Sequence, residues 1–265
     1  QKGNLIIIGA RPSVGKTSFG LNIATHVATV SNHPALIFSL EMSRLELTQR
    51  ILCAESRVDS QKIVNAKMND DDWVRIHKGI GHLDEAPIYI DDNPGVSIME
   101  IRAKARRLKS RIGDLGIIVV DYLQLMTGRS TAESRQVEIS EISRGLKLLA
   151  RDLETPVIGI SQLSRNLESR QDKRPLLSDL RESGSIEQDA DLVMFIYRDE
   201  IYNTESNDMG IAEINIAKNR NGPVDRVRLA YMPNFTKFAE LSRTRDDESN
   251  SAMQKTGSIN EPGNF

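Results

Sequence analysis

The chain has 265 residues, 39% of them hydrophobic and 27% charged, which suits one or two globular domains with a sizeable core. Its formal net charge of -2 excludes a polycation, so any nucleic-acid contact must come from a local patch. A single cysteine, Cys53, excludes an internal disulfide; with no secretory leader and no apolar run long enough for a membrane span, the chain reads as cytoplasmic, without a membrane partner.

In chain order, short runs rich in β-branched and aliphatic residues alternate with longer helical patterns. Strands are expected at 5–9, 35–40, 87–91, 116–121, 156–160 and 191–197, and helices at 16–30, 44–56, 69–83, 97–111 and 135–153. This alternation predicts βαβ units: an α/β fold with a mostly parallel central sheet flanked by helices. Ser97 followed three residues later by Glu100 is a capping-box signature for the fourth helix. From Gly210 the rhythm changes. IAEINIAKN, a turn signal at Asn221-Gly222-Pro223, then VDRVRLAYM and FTKFAEL predict antiparallel strands closing one edge of the sheet. The folded domain is expected over 1–242, and the polar, aperiodic stretch 243–265 reads as a disordered tail.

The stretch LIIIGARPSVGKTSFG (5–20) carries the first chemical expectation. Gly15-Lys16-Thr17, after a strand and before a helix, matches the second half of a phosphate-binding P-loop. In such a loop, backbone N–H groups turn inward and the helix N-terminus adds the positive end of its dipole. Lys16 then reaches the β- and γ-phosphates, and the Thr17 hydroxyl holds Mg²⁺. The cradle is expected to run through Ala10, Arg11, Pro12, Ser13, Val14, Gly15, Lys16, Thr17 and Ser18. Ala10 stands where the generic pattern has glycine; it is small enough to fit, although a positive φ is costlier there.

Triphosphate hydrolysis needs more than a cradle: a carboxylate near the metal, a group to activate water, and a group that senses the γ-phosphate. In an open α/β sheet these should stand at the carboxyl ends of other strands. GIIVVD ends in Asp121, a Walker-B arrangement that places a carboxylate in the metal's coordination shell. ALIFSLE ends in Glu41, a candidate general base, and VIGISQ ends in Gln162, an amide able to hydrogen-bond the γ-phosphate. Any one of these could instead be a helix cap or a solvated loop residue. Four strand ends carrying Lys/Thr, Glu, Asp and Gln in one chain point to an ATP hydrolase.

That set, in its local wording, resembles the RecA-like ATPase domain of bacterial replicative DNA helicases of the DnaB type. The resemblance rests on ARPSVGKT (10–17), FSLEMS (38–43), DYLQLM (121–126), SQLSR (161–165), LRESGSIEQDAD (180–191) and AKNRNGP (217–223). Ala10 is also what this family shows. The resemblance implies a hexameric ring that hydrolyses ATP at subunit interfaces and translocates on single-stranded DNA, with a helicase loader and a primase as partners. It implies that Lys16 and Thr17 bind phosphate and metal, and that Glu41 is the catalytic glutamate. It further implies Asp121 as Walker-B acid, Gln162 as γ-phosphate sensor, and Arg50 packed on the adenine.

Lys218 and Arg220, which as strand-end charges would ordinarily be solvated, match a pair reaching into the neighbouring subunit's site. Arg129 and Arg135 match one channel-facing loop, and Arg181, Glu182 and Gly184 match residues that hold the DNA backbone. The family also carries an N-terminal helical domain and a linker helix before the P-loop strand, so this chain is expected to be a fragment with weaker ring assembly and weak ATPase activity. Two other readings stay open: a RecA-like recombination or repair ATPase, and an ATP-gated protein-interaction module.

The remaining features read as structural. Arg102, Lys104, Arg106, Arg107, Lys109 and Arg111 form a basic helix face expected to be solvated and suited at its C-terminal end to the helix dipole. Trp73 is expected to be a core anchor, in a helix whose acidic first turn (Asp70, Asp71, Asp72) suits its N-terminus. Cys53 reads as a small buried hydrophobe. His26, His33, His77 and His82 show no metal-ligand spacing.

Overall fold

A computed structural model describes residues 1–128 and 134–241, with only the backbone described for 181–184. The first half runs β1 (Leu5–Ala10), α1 (Lys16–Thr29), β2 (Ala35–Ser39), α2 (Arg44–Ser56), α3 (Ser60–Val64), α4 (Asp70–Asp84) and β3 (Ile88–Asp91). Next come α5 (Ile98–Ile112), β4 (Ile117–Asp121), α6 (Arg135–Leu153), β5 (Val157–Gln162), α7 (Gly184–Asp189) and β6 (Leu192–Tyr197). The chain closes with β7 (Ile211–Asn219), β8 (Asp225–Met232) and β9 (Lys237–Glu240).

These strands form one nine-stranded sheet in the order β3-β2-β4-β5-β1-β6-β7-β8-β9. The six strands from β3 to β6 run parallel, and β7, β8 and β9 add antiparallel at one edge. Burial follows the strand period of two. In β4, Ile118 and Val120 join a core under α5 and α6, whereas Ile117 and Val119 join a second core under α1 and α2. All of β4 is buried, as a strand covered on both faces must be. Cys53 is buried in α2, and its thiol is pushed up to about 11, chiefly by burial and then by Asp59.

The short helices α3 and α7 are absent from the expected pattern, because neither is long enough to show an apolar period; α3 is started locally by the Asp59 carboxylate accepting from Gln61 N–H. Trp73 corrects an expectation: it is 48% exposed. α4 instead turns Asp72, Ile76 and Gly79 inward, Gly79 lying against Ser56 of α2, and Trp73 falls one position round the helix, beside the His77 ring. Asp72 serves as more than dipole compensation. Its buried carboxylate accepts from Lys62 at 2.8 Å and Arg75 at 2.5 Å. The basic face of α5 is a paired seam as well as a solvated one: Arg102 and Arg106 meet Asp152 of α6, Lys104 meets Asp91, and Lys109 meets Asp114. The expected tail at 243–265 lies outside the described residues.

Candidate active site

The loop after β1 is shaped by two residues with positive φ, Ser13 at 64° and Gly15 at 111°. Gly15 is the N-cap of α1, and a Cβ there would also lie 3.0 Å from the Phe238 ring. Helices α2, α4 and α5 begin with full capping boxes, and α3 and α6 with a capping side chain. α1 begins with none and has no acidic residue in its first turn. Its first amides and dipole are therefore left to an anion. Behind the loop, the buried Arg198 guanidinium points at the carbonyls of Ser13 (3.4 Å) and Val14 (3.5 Å), stacks on Tyr231, and is paired with Glu200.

Because β5 lies between β1 and β4, with β2 beyond β4, the ends of these four strands converge at one edge of the sheet. Lys16 Nζ lies 3.0 Å from Glu41 Oε2 and 3.6 Å from Asp121 Oδ1, with its ammonium over the Tyr122 ring. The Thr17 hydroxyl donates to Asp121 Oδ2 at 2.6 Å. Burial raises the pKa of the Asp121 carboxyl, opposed by Lys16 and by the Thr17 hydrogen bond. A cavity of about 350 Å³ opens here, lined by the loop from Pro12 to Ser18, by Glu41 and Met42, by Arg50 and Gln162, and by Tyr231 and Thr236 from the antiparallel edge.

The donor set fits an anion with a hard cation. Thr17 Oγ1 and the Asp121 carboxylate are oxygen ligands at the foot of the cradle, and Asp121 Oδ1 is buried without a hydrogen-bond partner among the described residues. The cradle is a backbone one. Ala10 and Val14 send their side chains into the core, and the Arg11 guanidinium turns away to Glu168 and the Leu163 carbonyl. It lines a second cavity of about 410 Å³ on the far side of Gln162.

Other predicted residues stand apart. Lys218 pairs with Val193 at the start of β6, its ammonium on the Glu187 carbonyl; Arg220 binds the Gln188 carbonyl and Asp191. Asp191 also accepts from Leu5 N–H, so the pair sits where β1 begins, at the edge opposite the P-loop. With about 3.3 Å per residue, β1 alone separates the two by roughly 17 Å. Arg135 begins α6, paired with Glu138 and donating to the Gln124 carbonyl at 2.6 Å. Arg181, Glu182 and Gly184 fall at the junction of a 3₁₀ segment (Leu177–Ser183) with α7. Arg129 lies outside the described residues.

Sheet order, uncapped helix and strand-end carboxylates together define a RecA-like P-loop nucleotide-binding domain. A family model described as DnaB-like helicase C terminal domain matches residues 1–240, and the chain belongs to that family. The replicative DNA helicase DnaB of Geobacillus stearothermophilus is 55% identical over 248 residues, 93% of this chain and 54% of that protein. The replicative DNA helicase DnaC of Bacillus subtilis (strain 168) is 53% identical over the same length and shares. The chain thus spans about half the length of these curated relatives. Two solved structures superpose with a TM-score of 0.88 at 41% identity. One is an isolated ATPase domain, with 91% of this chain and 86% of that one covered. The other is a DnaB-like replicative helicase described with its interactions with primase, with 91% and 58% covered. Among the described residues no helix is long and apolar enough to cross a membrane.

Sequence reasoning missed Tyr231, Thr236 and Met42 in the cavity wall and Arg198 behind the loop. The first two are far from the P-loop in sequence and reach it only because β8 and β9 fold back over α1; no local pattern signals that. Met42 follows Glu41 directly and could have been named with it.

Proposed function

We propose that this chain is the ATP-hydrolysing motor domain of a cytoplasmic, hexameric replicative DNA helicase that moves along single-stranded DNA and separates the duplex. The reading is carried by the gathering of Lys16, Thr17, Glu41, Asp121 and Gln162 at one edge of the sheet, in a chain of the DnaB-like helicase family.

The substrate is ATP with Mg²⁺. Backbone amides of the P-loop and Lys16 hold the phosphates, and Thr17 and Asp121 hold the cation, directly or through water. Bound there, Mg²⁺ neutralises charge that develops on the phosphate oxygens. Glu41, half exposed at the cavity mouth, orients the attacking water and takes its proton. Its present partner is Lys16, so a Lys16 drawn onto phosphate leaves Glu41 free as a base. Gln162 hydrogen-bonds the γ-phosphate and responds to its loss, and Arg50 packs on the adenine. Lys218 and Arg220 serve a neighbour's site: their position at the opposite edge of their own sheet supports this.

Arg129, Arg135, Arg181, Glu182 and Gly184 face the DNA backbone, with binding that is independent of sequence and sensitive to salt. A primase and a helicase loader are the expected protein partners; the primase is favoured by the similar helicase structure determined with primase.

The test is subunit mixing. Lys16→Ala and Arg220→Ala chains should each lose hydrolysis, the latter by about 10³-fold or more if Arg220 stabilises the transferring phosphoryl group. Mixed assemblies should recover activity at interfaces where an intact Lys16 meets a neighbour's intact Arg220. No recovery with assembly intact would overturn the trans arrangement.

A further inference from the structure

The β4–β5 ladder ends at Val120 opposite Gly159, yet β5 runs three residues further, to Gln162. On one side Gln162 stays paired with Ala10, the last residue of β1. On the other side β4 has already turned into a 3₁₀ segment (Leu123–Leu125), and a side chain takes the place of the missing strand. The Gln124 carboxamide accepts from Gln162 N–H at 3.1 Å and donates to the Gln162 carbonyl at 3.1 Å and to Ser161 Oγ at 2.9 Å. It pairs with Gln162 as a neighbouring peptide group would. The backbone carbonyl of the same residue accepts from Arg135 at 2.6 Å, and Arg135 is held in turn by Glu138, which also accepts from Gly128 N–H. One residue therefore grips the end of the β5 strand by its side chain and Arg135 by its main chain.

We infer that Gln124 is a positioning residue that couples Gln162 to Arg135, so that DNA held by Arg135 alters the rate at the phosphate end of the site. This rests on the proposed function, which gives Gln162 and Arg135 their roles. The two grips are chemically separable. Removing the side chain leaves the carbonyl, and hence the Arg135 contact, in place while releasing Gln162. Coupling energies of this kind correspond to roughly 5- to 150-fold effects.

The experiment compares the wild-type chain with Gln124→Ala and Gln124→Met, the second keeping length and bulk without the carboxamide. ATP turnover is measured with and without oligo-dT, and oligo-dT affinity by fluorescence anisotropy. Both variants should lose DNA stimulation of kcat by about tenfold while binding DNA within roughly threefold of wild type. Stimulation retained in either variant would overturn the inference, since Met restores packing alone. So would a fall in DNA affinity that matches the fall in stimulation. A wild-type chain that binds oligo-dT but shows no stimulation would instead overturn the helicase reading, and the inference with it.

Discussion

Thr17→Val tests the innermost contact of the site without changing its shape. Valine is nearly isosteric with threonine and β-branched like it, so the buried position keeps its packing and loses only the hydroxyl that donates to Asp121 at 2.6 Å. Asp121 then keeps Lys16 at 3.6 Å as its main compensation, because Oδ1 has no hydrogen bond among the described residues. A hydrogen bond to a charged group contributes about 1.5–3 kcal/mol, and its loss strands a buried acceptor. For a domain of this size, about 2–4 °C per kcal/mol places the expected fall in Tm at roughly 3–12 °C. The assay is thermal unfolding without nucleotide or Mg²⁺, with Thr17→Ser as the control that keeps the hydroxyl and stays close to wild type. The stabilisation that Mg·ATP gives wild type should also vanish in the valine variant. An apo Tm for Thr17→Val within about 1 °C of wild type would refute the reasoning, because the hydroxyl would then contribute nothing to holding Asp121.

Gly15→Ala should destabilise by about 1–3 kcal/mol in urea unfolding and remove ATP binding, since the added Cβ meets both a φ of 111° and the Phe238 ring; unchanged stability would contradict the strained loop. Arg198→Met should cost about 3 kcal/mol, because it strands the buried Glu200, and should raise the KM for ATP several-fold by loosening the loop carbonyls; a stability loss with KM unchanged would remove the bracing role. The Lys62 hydrogen bond, then other contacts, holds the Asp72 carboxyl below its ordinary 3.8. A folded value below the unfolded one gives stability present above the unfolded pKa and lost as pH falls through the folded pKa. Lys62→Met should therefore destabilise at pH 7 and lose that deficit below about pH 4 in urea titrations; equal deficits at both pH values would contradict it.

Where the chemistry is local in sequence, the site was legible. An apolar strand followed by a glycine-permissive loop and a helix forces the P-loop, and β4 and β5 deliver Asp121 and Gln162 because continuous apolar runs must be central strands. Glu41 follows β2 for the same reason. The rest depended on long-range closure. Tyr231 and Thr236 reach the cavity through strand pairings at the far edge of the sheet, and Arg198 is aimed by the end of β6. Trp73 misled because α4 buries Asp72 with two cationic partners, a charged contact that apolar periodicity does not register. Gln124 looked like one more residue in a family motif; only the early end of the β4 ladder shows why a carboxamide is needed there.

The central claim is that nucleotide hydrolysis in this cavity is driven by assembly and by DNA. Steady-state ATP hydrolysis measured with and without single-stranded DNA, across protein concentration and at two salt levels, tests it most directly. The account predicts a DNA-stimulated rate per chain that rises with protein concentration, weakens at the higher salt, and is abolished by Glu41→Gln. A hexameric chain that hydrolyses ATP at a rate indifferent to DNA would contradict it.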